Sequence, residues 1–143
     1  LEKVLATNKV DFIITDYYPQ SKSFKENKIT EEEYVIIESA KHKKIPDIYI
    51  DHGTYDNATE SYFRFLNEKP KYERVFMGEV YSIVDGVALG LGRAVMSKHI
   101  IENDKRFKVI KKKKKYKRDV VLSSLEQSYY SPIHNLISDT LNN

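Results

Sequence analysis

The sequence predicts an α/β fold, a largely parallel sheet with helices covering both faces. Three observations carry that expectation. Strand-like and helix-like patterns alternate through the middle of the 143 residues, the arrangement that builds βαβ units. Two strand patterns, Val10 to Thr15 (VDFIIT) and Tyr34 to Glu38 (YVIIE), are nearly continuous in apolar residues, as when both sheet faces are buried. Gly78 to Lys98 (GEVYSIVDGVALGLGRAVMSK) joins an amphipathic run to a short apolar run through a glycine-bearing turn.

Taken in order, Leu1 to Asn8 reads as the last turns of a helix with Leu1, Val4 and Leu5 inward, and Asn8-Lys9 ends it. The Val10 to Thr15 strand runs into Asp16-Tyr17-Tyr18-Pro19, a loop at its carboxyl end, where ligands collect in open α/β sheets. Ser21 to Thr30 is polar and reads as a surface passage before the strand Tyr34 to Glu38. The acid triplet Glu31-Glu32-Glu33 is a solvated strand entry. Ile48 to Ile50 is a short strand, followed by a turn of Asp51, Gly53 and Thr54. Asp56 is a helix N-cap for a segment burying Tyr62, Phe63, Phe65 and Leu66, which Lys69-Pro70 terminates. Glu73 to Met77 (ERVFM) is the next strand.

Within Gly78 to Lys98, residues Val80, Ile83, Val84, Val87 and Ala88 share one face at 3.6 residues per turn. Gly90 falls where a helix C-terminus wants positive φ. Gly92 allows close backbone approach to the strand Ala94 to Met96. The helix N-terminus, Gly78 to Tyr81, presents a positive dipole end and free N–H groups, a candidate ligand position; the plainer reading is one more αβ repeat. Ser97 opens one or two helical turns (KHIIEND), and Phe107 to Ile110 and Asp119 to Ser123 are strands. Ser131-Pro132 is a cap followed by proline at the first helical position, for a helix with Ile133, Leu136, Ile137 and Leu141 inward.

Composition excludes several classes. Cysteine is absent, which removes disulfides, thiolate metal sites and cysteine nucleophiles. No apolar run approaches a membrane span and no signal-peptide pattern is visible, so a cytoplasmic protein without membrane contact is expected. His42, His52, His99 and His134 show no metal-ligand spacing, and no cofactor is expected: Gly90-Leu91-Gly92 follows its helix, whereas a dinucleotide fingerprint precedes one. No catalytic constellation is present, so an enzyme is not expected. The formal net charge of +3 is lopsided: Lys105 to Arg118 holds ten basic residues and no acid. Lying between two strand patterns, the Lys111 to Lys115 run reads as a loop with a self-repelling solvated tip, with a nucleic-acid-contacting patch as the alternative.

These segments together resemble the effector-binding domain of LysR-type transcriptional regulators. LEKVLATNKVDFIITD is similar to the family's helix, turn and strand; EEEYVIIESAKHKK to its next strand; and EVYSIVDGVALGLGRAVMSKHIIENDKRFKVI, the most specific match, to its glycine-bearing segment. Asn8-Lys9, Ser97 and Lys43-Lys44 depart from the family pattern at loop positions. The resemblance implies a two-lobed fold of the type 2 periplasmic-binding-protein kind, sheets with helices on both faces. Residues 1–20 and about 119–143 would form the first lobe and about 21–118 the second. The family's opening strand, helix and second strand, and its DNA-binding helix-turn-helix, would precede Leu1, leaving the first lobe incomplete.

The resemblance further implies sensing without catalysis. A small-molecule effector would settle between lobes, and a homo-oligomer, dimer or tetramer, would touch DNA through an N-terminal domain. Carried over by position, the effector contacts would be Thr15, Asp16 and Tyr17 after the first strand, Gly53 and Thr54 before the Asp56 helix, and Gly78, Glu79 and Val80 at the next helix start. Asp16 and Glu79 would disfavour an anion there, whereas helix N–H groups would attract one. A solute-binding or transport-associated protein of the same fold is the alternative.

Overall fold

The computed structural model describes residues 1–142, in which the chain forms two compact units: residues 1–32 with 118–142, and residues 33–117. Each has its own core.

In the first unit, α1 (Glu2–Ala6) leads to β1 (Phe12–Thr15), which pairs antiparallel with β7 (Tyr116–Leu125) in the register Phe12↔Ser124 to Thr15↔Val121. β7 in turn neighbours β2 (Phe24–Ser39). Leu5, Ile13 and Phe24 form the core, with Leu125 against them. Only one face of β1 is buried: Ile14 is half exposed and Val10, just ahead of the strand, is exposed too. The apolar run VDFIIT therefore does not mark a strand covered on both sides.

The second unit holds the βαβ unit that the pattern predicts. β3 (Ile48–Asp51), α2 (Ala58–Leu66) and β4 (Glu73–Phe76) follow one another, and β3 and β4 pair in parallel. α3 (Val80–Ala88) and β5 (Ala94–Ser97) follow, then a single 3₁₀ turn, Lys98–Ile101, and β6 (Phe107–Ile110). One core cluster gathers Val35, Ile37, Ile50, Ile83, Val84, Val87, Ala94, Met96 and Ile101. A second, aromatic one gathers Tyr49, Tyr62 and Phe63 with Ile36 and Val95.

The expectation of a largely parallel sheet is corrected. β2 pairs antiparallel with both β5 (Tyr34↔Ser97) and β6 (Ile36↔Ile110), so β3 with β4, extended by a parallel bridge from Tyr49 to Arg93, is the parallel part. Alternation of helix and strand in sequence specifies the parallel crossovers, and the chain entering β5 does lie beside β3 at Arg93, but it says nothing of the antiparallel pairing of β5 with the distant β2.

The polar passage Ser21 to Thr30 is also corrected, since residues 24–39 form one 16-residue strand. Backbone ladder bonds do not require apolar side chains, and Lys28 offsets its charge by reaching Glu31 and Asp119, each at 2.8 Å. Likewise β7 begins at Tyr116, inside the basic stretch read as a loop.

Local helix signals perform as the sequence predicts at α3. Gly90 takes φ +78, its N–H donates to the Val87 carbonyl and the Leu91 N–H to the Gly86 carbonyl, the paired bonds of a Schellman cap. A Cβ on Gly92 would lie 2.8 Å from the Ile48 carbonyl oxygen, which the Arg93 N–H already reaches at 2.9 Å. Helix α4 (Pro132–Asn142) starts where predicted, with Ser131 Oγ accepting the His134 N–H at 3.2 Å.

Its inward face, however, is corrected: α4 has no buried residue, and Ile133 and Leu136 are about two-thirds exposed, 70% and 67%. Periodicity defines a face, but burial needs an element to cover it. Here the helix rests through the His134 ring on Phe12 and Tyr130. Leu1, Phe65 and Val80, each expected inward, are exposed as well: Leu1 precedes α1 and Val80 opens α3, while Tyr62, Phe63 and Leu66 share the covered face of α2 and Phe65 lies off it.

Candidate functional site

In the second unit, parallel pairing brings the carboxyl ends of β3 and β4 side by side, and the chain leaves both through turns that touch. The Met77 N–H donates to the Asp51 carbonyl at 3.1 Å and the Gly78 N–H to the His52 carbonyl at 2.9 Å. Five of the residues singled out in the sequence, Gly53, Thr54, Gly78, Glu79 and Val80, are thereby gathered at one strand-end edge. Gly78 has φ +62, which turns the chain from β4 into α3, and a Cβ there would meet open space. Thr54, Gly78, Glu79 and Val80 are exposed.

The first N–H groups of α3 precede its first intrahelical bond, from the Ile83 N–H to the Glu79 carbonyl at 3.1 Å. They are the donors that a helix leaves unsatisfied at its start. Glu79 itself adopts an extended conformation and makes no side-chain cap. α2 begins beside them: helix geometry starts after Asn57, but the capping carboxylate is that of Asp56, which accepts the N–H groups of Ala58 at 2.9 Å and His52 at 3.1 Å. Tyr55, 77% exposed, shares a short hydrogen bond with His52 Nδ1 across the same turn.

Sequence reasoning missed what holds this edge in place. Asp51, counted there only as a turn residue, is 1% exposed. Its carboxylate accepts from Thr59 Oγ1 at 2.5 Å and from Arg74 Nε at 2.6 Å. The Arg74 guanidinium also donates to the Asp56 carbonyl at 2.5 Å and to Glu60 at 3.0 Å. One arginine on β4 thus ties together the end of β3, the turn after it and the first turn of α2. Burial pushes the Asp51 carboxyl above its ordinary value, against the pull of Thr59 and Arg74. The signal was an arginine inside the apolar strand pattern ERVFM, where a charge requires a partner.

Thr15, Asp16 and Tyr17 lie in the first unit, at the end of β1. Thr15 is buried, and its hydroxyl donates to the Tyr17 carbonyl at 2.6 Å, closing the loop on itself. Asp16 is held by Arg118 of β7 in a short ion pair. Tyr18 donates to Asp119 at 3.0 Å. Tyr17 is half exposed, and burial together with Glu2 raises its hydroxyl pKa.

Among the described residues no group of histidines and acids could hold a metal ion, and no helix is long and apolar enough to cross a membrane. No family model matches the chain, and no curated protein matches it. Solved structures do. The effector-binding domain of QuiR in complex with shikimate is similar over 98% of this chain and 74% of that one, at TM-score 0.78 and 22% identity. The regulatory domain of CcmR from Synechocystis PCC6803 in complex with 2-PG matches over 99% and 76%, at TM-score 0.80 and 17% identity. The regulatory domain of MetR, a LysR family regulator from N. meningitidis, matches over 99% and 75%, at TM-score 0.76 and 12% identity. The chain therefore has the fold of LysR-type effector-binding domains.

Proposed function

We propose that this chain is the effector-sensing part of a bacterial LysR-type transcriptional regulator and catalyses no reaction itself. The observation that carries the reading is the joined edge at the ends of β3 and β4, on a fold shared over nearly the whole chain with domains that bind effectors. The effector contacts in the second unit are Gly53, Thr54, Gly78, Glu79 and Val80; Thr15, Asp16 and Tyr17 are the proposed contacts of the first unit. On this reading residues 1–32 with 118–142 correspond to the first lobe and 33–117 to the second.

A ligand shifts such a switch only by its differential affinity for two arrangements. The reading places the protein in the cytoplasm as a homo-oligomer, with DNA contacted through an N-terminal domain. Small carboxylates are the favoured effector class: α3 offers N–H donors at its start that the exposed Glu79 side chain does not cap, and Arg74 already offsets the nearest buried carboxylate, Asp51.

The test is a thermal-shift screen of shikimate and a panel of small metabolic carboxylates. One of them is expected to stabilise the chain, by about 2.7 kcal/mol at a concentration a hundredfold above its Kd. Thr54→Ala and Gly78→Ala are expected to weaken that effect. A panel that leaves the melting temperature unchanged, or a stabiliser indifferent to both substitutions, overturns the reading.

A further inference from the structure

The opposite end of α2 carries a surface that effector sensing does not use. We propose that the loop Lys111 to Lys115 and the C-terminal end of α2 together bind single-stranded nucleic acid, phosphates on the lysines and a base on the exposed ring of Phe65.

The two segments form one surface. Lys112 Nζ lies 2.6 Å from Glu68 Oε2, and the ring of Phe65 sits 5.2 Å from that of Tyr116, tilted by 42°. Glu68, Arg64 and Lys69 line a cleft of about 350 Å³ with Phe63 and Tyr72 among its walls, within the size range of small-ligand clefts. The loop is pinned at two points, by Lys112 on Glu68 and by Lys115, whose Nζ is 3.9 Å from Glu33.

Two acids at this end of α2 are already engaged, Glu68 with Lys112 and Glu60 with Arg74 at 3.0 Å. Arg64, Lys69, Lys71, Lys111, Lys113 and Lys114 are exposed, and among the described residues none of the six has an ion-pair partner. The negative end of α2 accounts for Arg64 and Lys69. It does not account for three further cations on a separate loop, nor for a phenylalanine ring left 44% exposed against Tyr116, the residue that follows that loop.

A cationic surface gains affinity for a polyanion by releasing counterions. An aromatic face adds stacking that any unpaired base can use and that duplex bases cannot reach. Ring and cations together therefore favour a single strand over a duplex.

The experiment is fluorescence anisotropy of labelled oligothymidylate, about 16 nucleotides long, titrated with the whole chain across a salt series. If all six cations meet phosphates, log K falls against log salt with a slope of about −4. Replacing Lys111, Lys113 and Lys114 together by glutamine makes the slope shallower by about 2. Phe65→Ala weakens binding about tenfold and leaves the slope unchanged. Circular dichroism of both variants checks that they fold. The proposal is overturned by an absence of binding at about 50 mM salt, by equal or tighter binding of a duplex of the same length, or by a triple variant that binds as the parent does. Capture by phosphatidylglycerol vesicles without oligonucleotide binding overturns it in favour of a membrane surface.

Discussion

Asp51 at the end of β3 and Asp16 just beyond β1 are both strand-end carboxylates held by an arginine, but their surroundings differ. The Asp51 side chain is 1% exposed and its arginine 21%, whereas Asp16 is 36% exposed beside Arg118 at 12%. Arg74 reaches Asp51, the Asp56 carbonyl and Glu60 at once and so sets the shape of a turn. Arg118 meets a carboxylate that water also reaches. A buried ion pair is costly to break because one charge is stranded, while a solvated pair is worth little. The first pair fixes the shape of a turn around a carboxylate that water does not reach, whereas in the second the carboxylate stays in contact with water.

Breaking the buried pair gives the largest effect. Arg74→Ala strands Asp51 and is expected to cost about 3 kcal/mol in urea unfolding; a loss below that of the Arg118 variant would erase the distinction. Thr59→Val keeps the shape of the side chain but removes a donor from the same carboxylate, and an expected loss of about 2 kcal/mol follows.

Acidity sharpens the contrast. Burial holds Asp51 above its ordinary value, so the folded chain binds that proton more readily than the unfolded one. Folding then gains as pH falls from the folded value toward the ordinary value of 3.8. Without Arg74 the upward shift grows, and the deficit of Arg74→Ala is expected to shrink between pH 7 and about pH 4.5. Denaturant melts at both pH values read it, and a deficit that widens on acidification would contradict the assignment. The smallest effect is that of Arg118→Ala, below about 1 kcal/mol.

How much of this was legible in the sequence follows the range of the interactions. The Gly90 cap and the β3–α2–β4 unit depend on neighbours within a few residues or one crossover, and their signals stand in the sequence; the glycine at position 92 signals a close approach without naming its distant partner, Ile48. The antiparallel ladders of β2 with β5 and β6 join residues far apart in the chain, Tyr34 with Ser97 and Ile36 with Ile110 among them. Nothing local specifies them. Lys28 reads as part of a surface passage because the ladder partner of its strand lies far along the chain, and the stripe of α4 reads as core because periodicity is silent about what covers it. At the candidate site the glycines and Thr54 announced the turns, whereas the Asp51, Thr59 and Arg74 network became visible only once β3 and β4 were side by side.

The central claim is that an effector meets the joined turns after β3 and β4. The most direct test is a two-dimensional amide spectrum of the chain titrated with shikimate and then with each small carboxylate of the panel. The account predicts that a binding carboxylate shifts the amides of Gly53, Thr54 and Gly78 to Val80. Shifts confined instead to the cleft at Arg64 to Tyr72, with those turns unmoved, would contradict it.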